Sequence, residues 1–338
     1  MRIGLVLGAG GSVGVAYHGA VIAALERATG WDPRSAEVLV GTSAGSITAA
    51  MLRAGVPAGD LVRISEDQPL SEEGAHLAEL GRPHRPRPHV TDFLRTHPVA
   101  SPRGVLHGLA HPCAHPTAAL VAALLPAGGI ATDPISEGVN AVFSGGWPSE
   151  SLWICAVDLR TGKRVVFGQP GAPPAHVGSA VAASSAIPAY FRPVSIGGRR
   201  YVDGGIHSMV NLDLVARSGL DLVIVSSPMS QTAGRPGIDS IIRRPLSARL
   251  HGEVSALRRA GVHVVAIEPS RRVTVAMGLN PMDARRRGAV SRATTSAVQQ
   301  WLAGGAEGRQ LAATLTQAAA SGVGPPDRGP VLLRRPSA

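Results

Sequence analysis

The sequence feature that most constrains the fold is a five-residue turn, Gly-Thr-Ser-Ala-Gly at residues 41–45, between two apolar runs. The run before the turn, residues 37–40, predicts a short buried strand, and the run after it, residues 46–52, predicts the start of a helix. Glycines on both sides of Ser43 permit the sharp strand-to-helix turn called a nucleophile elbow, which presents the serine hydroxyl at the edge of a sheet. The pattern therefore predicts a reactive serine where a parallel strand ends.

A glycine-rich loop near the start of the chain is the second informative segment. Residues 2–7 predict a buried parallel strand, residues 8–14 read Gly-Ala-Gly-Gly-Ser-Val-Gly, and residues 15–28 predict an apolar helix. Glycines permit close approach of other groups and leave several N–H groups free, so the loop fits either a phosphate or an oxyanion. A dinucleotide site is disfavoured, because the second strand ends in Ser43 and supplies no acidic residue for a ribose.

An Asp-Gly-Gly sequence at residues 203–205 is the third segment, and it follows a strand and turn predicted at residues 194–198. Taken alone, it is a common turn sequence without chemical meaning. Together and in this order, the three segments resemble the patatin-like phospholipases, and the resemblance covers residues 2–227. Further matching segments are residues 157–162, 183–188 and 191–194. The set of motifs is more specific than any one of them.

The resemblance implies a fold, a reaction and the residues that perform it. The fold is a three-layer α/β architecture with a central, mostly parallel sheet flanked by helices. The reaction is hydrolysis of lipid acyl esters, of the phospholipase A or lysophospholipase type, by a Ser–Asp dyad without a cofactor. By position, Ser43 is the nucleophile, Asp203 is the base, and backbone N–H groups of Gly10, Gly11 and Ala44 form the oxyanion hole. The glycines that support these motifs are Gly8, Gly14, Gly41, Gly45, Gly204 and Gly205.

Two differences from the family pattern leave other functions open. The family's glycine-rich loop commonly carries Arg or Lys where this chain has Val13, and its first glycine is replaced here by Ala9. Since the oxyanion donors are backbone groups, ester hydrolysis is compatible with both differences, whereas phospholipid as the substrate is less well supported. Acyl transfer by the same dyad remains an alternative. So does a non-catalytic, arginine-rich lipid-binding or regulatory protein on the same fold.

A Ser-His-Asp triad is a further interpretation of the same serine. Only 42 residues precede Ser43, which leaves room for one strand and one helix before the elbow strand. α/β-Hydrolases place several strands there and a histidine after the acid. His263 lies in a predicted strand and His251 on a predicted helix, so His207 is the candidate base to test.

Composition limits the partners and the compartment. The 338 residues carry a net charge of +10, from 33 basic and 23 acidic residues, and 3% of them are aromatic, so no nucleic acid partner is expected. Residues 235–292 hold twelve arginines against four acids, which predicts solvated helix faces or, alternatively, peripheral contact with an anionic membrane. Two cysteines and the lack of a signal peptide or spanning apolar segment predict a cytoplasmic protein.

The pattern along the chain predicts one α/β domain over residues 2–320. Residues 68–150 begin with a Pro- and His-rich stretch and predict an insertion or lid that borders the active site. Residues 325–338, rich in Gly, Pro and Arg, predict a disordered tail.

Histidines spaced by four residues raise a metal hypothesis within the insertion. The residues concerned are His107, His111, His115 and Cys113. On a continuous helix this spacing would align the imidazoles on one face. Pro112 and Pro116 interrupt such a helix, so we predict no metal site.

Overall fold

The strands are defined in a computed structural model, which describes residues 1–80, 97–110, 117–143, 146–231 and 238–321. In chain order they are β1 (Ile3–Leu7), β2 (Val38–Thr42), β3 (His97–Val99), β4 (Pro126–Ala127), β5 (Ser151–Asp158), β6 (Arg164–Phe167), β7 (Val194–Ile196), β8 (Arg199–Asp203), β9 (Leu222–Ser226) and β10 (His263–Ile267). β3 and β4 pair with each other, and the remaining strands of the described residues form one eight-stranded sheet.

The large sheet is mostly parallel. Its order is β10-β9-β1-β2-β5-β8-β7, with β6 also paired to β5. β10, β9, β1, β2 and β5 run parallel, whereas β6, β7 and β8 pair antiparallel to their neighbours. Every residue of β1 and β2 is buried, which explains their continuous apolar sequences, because a parallel strand in a layered fold is covered on both faces. The predicted α/β fold with a mostly parallel sheet is confirmed.

Helices cover both faces of this sheet. In the described residues they are α1 (Gly11–Thr29), α2 (Ala44–Arg53), α3 (Ala58–Ser65), α4 (Glu72–Leu80), α5 (Pro102–Ala110), α6 (Thr117–Leu124), α7 (Asp133–Val142), α8 (Val177–Ser184), α9 (Ile238–Arg259), α10 (Arg271–Met277), α11 (Arg287–Gly304) and α12 (Ala306–Ala320). Alternate side chains of a strand point to opposite faces. Leu5 and Leu39 pack with residues of α1, α2 and α11, and Val6 and Val40 pack with residues of α9. The central strands therefore lie between two helical layers.

The elements around the predicted serine differ slightly from their predicted bounds. α1 starts at Gly11 rather than at residue 15, so the end of the glycine-rich loop forms its first turn. The first turn of a helix leaves its N–H groups unpaired and needs no apolar side chain, so the hydrophobic pattern does not mark this start. β2 continues through Thr42, and the strand therefore ends directly at Ser43.

Five short helices, α3, α4, α5, α7 and α10, have no counterpart among the sequence predictions. They span seven to ten residues, too few turns for a clear apolar periodicity. Three of them, α4, α5 and α7, lie with α6 and the β3–β4 pair in the region predicted as an insertion. A role of this region as a lid stays a prediction.

Some predictions concern residues outside the described ranges. They include the predicted tail, residues 325–338, and the histidine and cysteine positions at residues 111–115. Where the chain is described, no group of three or more potential metal ligands is present. No described helix is both long enough and apolar enough to cross a membrane.

Candidate active site

The elbow serine, Ser43, joins the end of β2 to the start of α2. Its backbone adopts φ 54° and ψ −120°, a strained conformation for a residue other than glycine. Polar contacts hold this turn: the Ser43 N–H donates to Ser184 Oγ at 2.9 Å, and Ser46 Oγ donates to the Ser43 carbonyl oxygen at 2.6 Å. The structure thus places Ser43 at a strand-to-helix turn, where it is 3% exposed.

Glycines let the elements meet at this turn without side chains between them. A Cβ at Gly41 would lie 2.5 Å from the Ser46 Cα, and a Cβ at Gly45 would overlap the Leu7 carbonyl oxygen. The first turn of α2 therefore packs directly on the ends of β1 and β2. A Cβ at Gly204 would overlap the Cys155 carbonyl oxygen, whereas a Cβ at Gly8, Gly14 or Gly205 would lie 3.0–3.1 Å from its nearest neighbour.

The carboxylate of Asp203 lies beside this serine at the end of β8. β8 runs antiparallel to β5 with Asp203 opposite Ala156, so its last residue reaches the edge at which β2 ends. The Asp203 carboxylate accepts a hydrogen bond from the Gly205 N–H at 2.7 Å, and it lies close enough to the Ser43 hydroxyl for that group to lower its pKa. The fold therefore brings together the two residues that the resemblance assigns to a dyad.

Burial changes the acidity of Asp203. The residue is 5% exposed, and loss of solvation raises the pKa of its carboxyl to about 6, although the Ser43 hydroxyl and the Gly205 N–H act in the opposite direction. A carboxylate with a pKa near neutrality can accept a proton from an attacking hydroxyl and still be mostly ionised at pH 7. This environment suits a general base.

Three backbone N–H groups at the starts of α1 and α2 have no acceptor among the described residues. They belong to Gly10, Gly11 and Ala44. Gly11 and Ala44 open the two helices, whose N-terminal ends carry partial positive charge. Gly14 permits the helices to approach, since a Cβ there would lie 3.1 Å from the Ala44 Cβ. The arrangement leaves unpaired donors at the positions that the resemblance assigns to an oxyanion hole, and that role stays a prediction.

Comparison with known proteins relates this geometry to a family. A family model for patatin-like phospholipases matches residues 5–216, more than half of the chain. The chain belongs to the patatin-like phospholipase family. Among solved structures, the crystal structure of VipD from Legionella pneumophila is similar, with 15% sequence identity and a TM-score of 0.43 over 93% of this chain and 67% of that chain. At this identity and TM-score, the likeness says nothing about activity.

A buried histidine of the patatin-like chain, His18, holds the glycine-rich loop against the sheet. Its Nε2 atom lies 2.8 Å from the Gly8 carbonyl oxygen, and its Nδ1 atom lies 2.8 Å from Ser226 Oγ. Because a carbonyl oxygen only accepts, Nε2 carries the proton and Nδ1 accepts from the Ser226 hydroxyl. Burial lowers the pKa of His18 to about 4, so the ring is neutral at pH 7. Sequence reasoning missed this residue, although a single histidine in an otherwise apolar helix is a visible signal.

Two prolines outside the matched region of the patatin-like chain shape the same loop. A Cβ at Gly10 would lie 2.5 Å from Pro228 Cγ, so a glycine is needed for this proline to pack there. The Pro281 carbonyl oxygen accepts a hydrogen bond from the Val13 N–H at 3.1 Å. The Val13 side chain is buried in the core and presents no charge to the loop. Neither proline belongs to a motif, so only the folded chain reveals their role.

His207, the candidate base of a triad, is not among the hydrogen-bond partners of Asp203 within the described residues. That carboxylate accepts from the Gly205 N–H and lies beside the Ser43 hydroxyl. Partial burial and the Arg164 guanidinium lower the pKa of His207. The geometry therefore favours direct proton transfer from Ser43 to Asp203 over a triad.

An apolar cavity of about 310 Å³ lies beside α2 in this patatin-like protein. Its walls come mainly from α2, α3, α4 and α7, and they include Ile47, Ala50 and Met51 of α2. The Ile47 N–H donates to the Ser43 carbonyl oxygen at 3.4 Å, so the wall begins one helical turn beyond the serine. A cavity of about 150 Å³ suffices for benzene, and this larger cavity suits a longer alkyl group.

Proposed function

We propose that this patatin-like protein hydrolyses acyl esters of lipids with Ser43 as the nucleophile and Asp203 as the base. Patatin-like phospholipases are in general lipid acyl hydrolases. The observation that carries the proposal is the position of the Ser43 hydroxyl beside a buried carboxylate with a pKa of about 6. A serine hydroxyl is a weak nucleophile until a base takes its proton, and this contact supplies the base.

The proposed reaction uses the same groups in two steps. Ser43 Oγ attacks the ester carbonyl carbon while its proton passes to Asp203, and the oxyanion accepts hydrogen bonds from Gly10, Gly11 and Ala44. The tetrahedral intermediate then expels the alcohol, which takes the proton from Asp203 and leaves an acyl-enzyme. In the second step Asp203 deprotonates a water molecule that attacks the acyl-enzyme. The fatty acid leaves, and the proton returns to Ser43.

The apolar cavity beside α2 supports a lipid as the substrate. Its wall includes Ile47, which lies one helical turn beyond Ser43 on the same helix. Asp60 is the one charged side chain among the described wall residues. Its carboxylate already accepts hydrogen bonds from the Ser71 N–H at 2.9 Å and from Arg63 at 3.0 Å. The remaining surface favours hydrocarbon over a polar group.

Replacing either member of the dyad tests the proposal. Ser43→Ala and Asp203→Asn should each lower kcat/KM for a short-chain p-nitrophenyl ester by at least about 1,000-fold, because the two groups act as a unit. A fluorophosphonate probe should label Ser43 in the unchanged protein, as located by mass spectrometry. The label should be lost in Asp203→Asn.

A nearby serine supplies the matched control. Ser185 is buried, and its Oγ has no hydrogen-bond partner in the described part of the chain. Ser185→Ala therefore removes a buried hydroxyl without touching the dyad, and it should keep both activity and labelling. Full activity in Ser43→Ala would contradict the proposal.

Hydrolysis and acyl transfer share every step up to the acyl-enzyme. Product analysis with added acceptor alcohols separates them, since hydrolysis yields free acid and transfer yields a new ester. A protein that binds lipid vesicles but gains no label on Ser43 would instead be a non-catalytic lipid-binding protein.

A cytoplasmic location and contact with an anionic membrane stay predictions from the sequence. Within the arginine-rich stretch at residues 235–292, Arg243 is buried and donates to the carbonyl oxygens of Pro228 and Ser230. Others of the stretch pair with acidic side chains: Arg249, Arg258, Arg285, Arg286 and Arg287. Six of the twelve arginines of this stretch therefore have partners within the described part of the chain.

A further inference from the structure

A cavity of about 330 Å³ lined by four arginines lies beyond the dyad. Arg103 comes from α5, Arg160 follows β5, and Arg199 and Arg200 begin β8. Arg199 pairs with the buried carboxylate of Asp158 at 3.0 Å. The other three arginines are exposed, and their side chains have no ion pair or hydrogen bond with any described residue. The cavity therefore carries positive charge that the described residues do not neutralise.

The start of α5 adds to this positive charge. Ser101 and Pro102 line the cavity, and Ser101 Oγ accepts a hydrogen bond from the Gly104 N–H at 3.1 Å. The N-terminal end of a helix carries partial positive charge, so it favours an anion at the same place as the arginines. Guanidinium groups donate paired hydrogen bonds to phosphate oxygens, which makes phosphate the anion that fits best.

Large apolar side chains are exposed on the two helices next to this cavity. They are Leu106 of α5, Val121 and Leu124 of α6, and Leu125 directly after α6. The Ser101 N–H donates to the Ala123 carbonyl oxygen at 3.1 Å, so the end of α6 lies against the residue that lines the cavity. Leu106 is 67% exposed and follows Arg103 by three residues, on the same side of α5. Clustered exposed apolar groups mark an interaction surface.

The arginine cavity and the dyad lie at the same edge of the sheet. Asp203 pairs with Ala156 and Tyr201 pairs with Asp158, so β5 and β8 both extend beyond the level of the dyad. Arg200 lies three residues before Asp203, a distance of about 10 Å along a strand. A surface of phosphate groups bound at the arginines would therefore face the edge of the sheet at which Ser43 lies.

We propose that these residues form a docking face for an anionic lipid bilayer. The docking face consists of Arg103, Arg160, Arg200, Leu106, Val121, Leu124 and Leu125. The arginines bind lipid phosphate groups, and the apolar side chains enter the boundary between head groups and acyl chains. A soluble phosphorylated compound would need the arginines but not the exposed apolar side chains. Because both kinds of side chain occur next to each other, a bilayer is the favoured partner. The inference goes beyond hydrolysis at Ser43, because binding requires no reaction.

Vesicle sedimentation tests the docking face. Unchanged protein and Ser43→Ala should bind vesicles of phosphatidylcholine with phosphatidylserine more tightly than vesicles of phosphatidylcholine alone, and added salt should weaken the difference. An arginine beside an anionic surface contributes about fivefold, so a variant carrying Arg103→Gln, Arg160→Gln and Arg200→Gln should lose roughly 100-fold in partitioning at low salt. Leu106→Ser with Leu124→Ser should weaken binding at every salt concentration.

A second triple variant controls for total charge. Arg27, Arg217 and Arg259 are exposed, and they lie near the end of α1, before β9 and at the end of α9, at the opposite edge of the sheet. Their replacement by Gln removes the same charge and should leave vesicle binding unchanged. Hydrolysis of a soluble ester should be unchanged in both triple variants.

Three results would overturn the docking face. One is equal vesicle binding by the variant of Arg103, Arg160 and Arg200 and by the unchanged protein. A second is equal loss in both triple variants, which would mean a general charge effect. The third is calorimetric binding of glycerol phosphate that depends on the cavity arginines, in a protein that does not bind vesicles. Failure of the dyad would appear in the ester assay, and failure of the docking face in the vesicle assay.

Discussion

At the scale of single residues, the burial of Asp203 has two opposed consequences. It raises the pKa of the carboxyl from 3.8 to about 6, which makes the carboxylate a stronger base. A raised pKa also means that the folded protein binds this proton more tightly than the unfolded chain does. Protonation of Asp203 therefore favours the folded state. This contribution to the unfolding free energy is fully present below pH 3.8 and is lost as the pH rises through about 6. The ionised carboxylate of Asp203, which is the form that acts as the proposed base, therefore lowers the stability of the fold.

We expect kcat/KM for a soluble ester to rise with pH and to level off above the pKa of Asp203. Only the ionised carboxylate can take the proton of Ser43, so the profile should show a midpoint near pH 6. His18 has a pKa of about 4 and stays neutral in this range. Rates measured in constant ionic strength buffers check the profile, with Ser185→Ala as the control. A flat or falling profile would argue against Asp203 as the base.

Asp203→Asn should stabilise the protein at neutral pH. The shift from 3.8 to about 6 corresponds to about 3 kcal/mol of unfolding free energy at pH 7, which the neutral amide does not lose. The gain should shrink as the pH falls below about 6 and should vanish well below pH 3.8, where Asp203 is protonated in both states. Urea unfolding across this range measures the difference, and His18 contributes equally to both proteins.

The control for this stability experiment is Glu137→Gln, the same chemical change at an exposed position of α7. Its effect should stay small at every pH. An Asp203→Asn variant that is less stable than the unchanged protein at pH 7, or equally stable at every pH, would mean that Asp203 is not destabilised by burial.

The sequence reveals Ser43 and Asp203 because each stands within a short motif with unusual backbone requirements. It does not reveal Ser184, His18 or Pro281, whose roles depend on contacts between segments that are far apart in the chain. Ser184 Oγ accepts a hydrogen bond from the Ser43 N–H, and the Pro281 carbonyl oxygen accepts one from the first turn of α1. Ser184 lies in a matching segment and His18 stands out in an apolar helix, but the atoms that each of them contacts follow only from the packing of whole elements.

At the scale of elements, apolar runs predict the central strands well because both faces of a parallel strand are covered. β1 and β2 lie where their apolar sequences indicate, and His263 lies in β10 as predicted. Short helices such as α3 and α10 are harder to predict, since one or two turns supply few periodic positions. Their positions depend on tertiary contacts rather than on their own sequence.

The contact between α2 and β1 makes Gly45 irreplaceable. A Cβ at Gly45 would overlap the Leu7 carbonyl oxygen, so Gly45→Ala should lower the unfolding free energy by about 1–3 kcal/mol. It should also reduce ester hydrolysis, because α2 must move and carries the Ala44 N–H with it. Urea unfolding and the ester assay measure the two effects.

Gly59 provides the matched control, since both glycines occupy the second position of a helix. A Cβ at Gly59 would meet nothing within 4 Å. Gly59→Ala should therefore be neutral or should stabilise the protein by up to about 1 kcal/mol. Equal stability of the two alanine variants would contradict the close packing of α2 on β1.

At the scale of the whole molecule, the dyad and the proposed docking face share one edge of the sheet. The dyad stands where β2 and β8 end, and the docking face lies beyond β5 and β8. The apolar cavity extends along α2 from Ile47 to Met51. A protein docked by this face would place that edge of the sheet against the bilayer. Sequence motifs mark the dyad, whereas the cavity and the docking face arise only from the way the helices pack.

The position of β9 between β1 and β10 has a consequence for any shortened version of the protein. The family match ends at residue 216, but β9 and β10 come later in the chain and complete the sheet on the far side of β1. A fragment ending at residue 216 would leave β1 as an open, apolar edge, which invites association between copies. It would also lack Ser226, the partner of His18. The segment that matches the family model is therefore shorter than the segment needed to cover β1 on both sides.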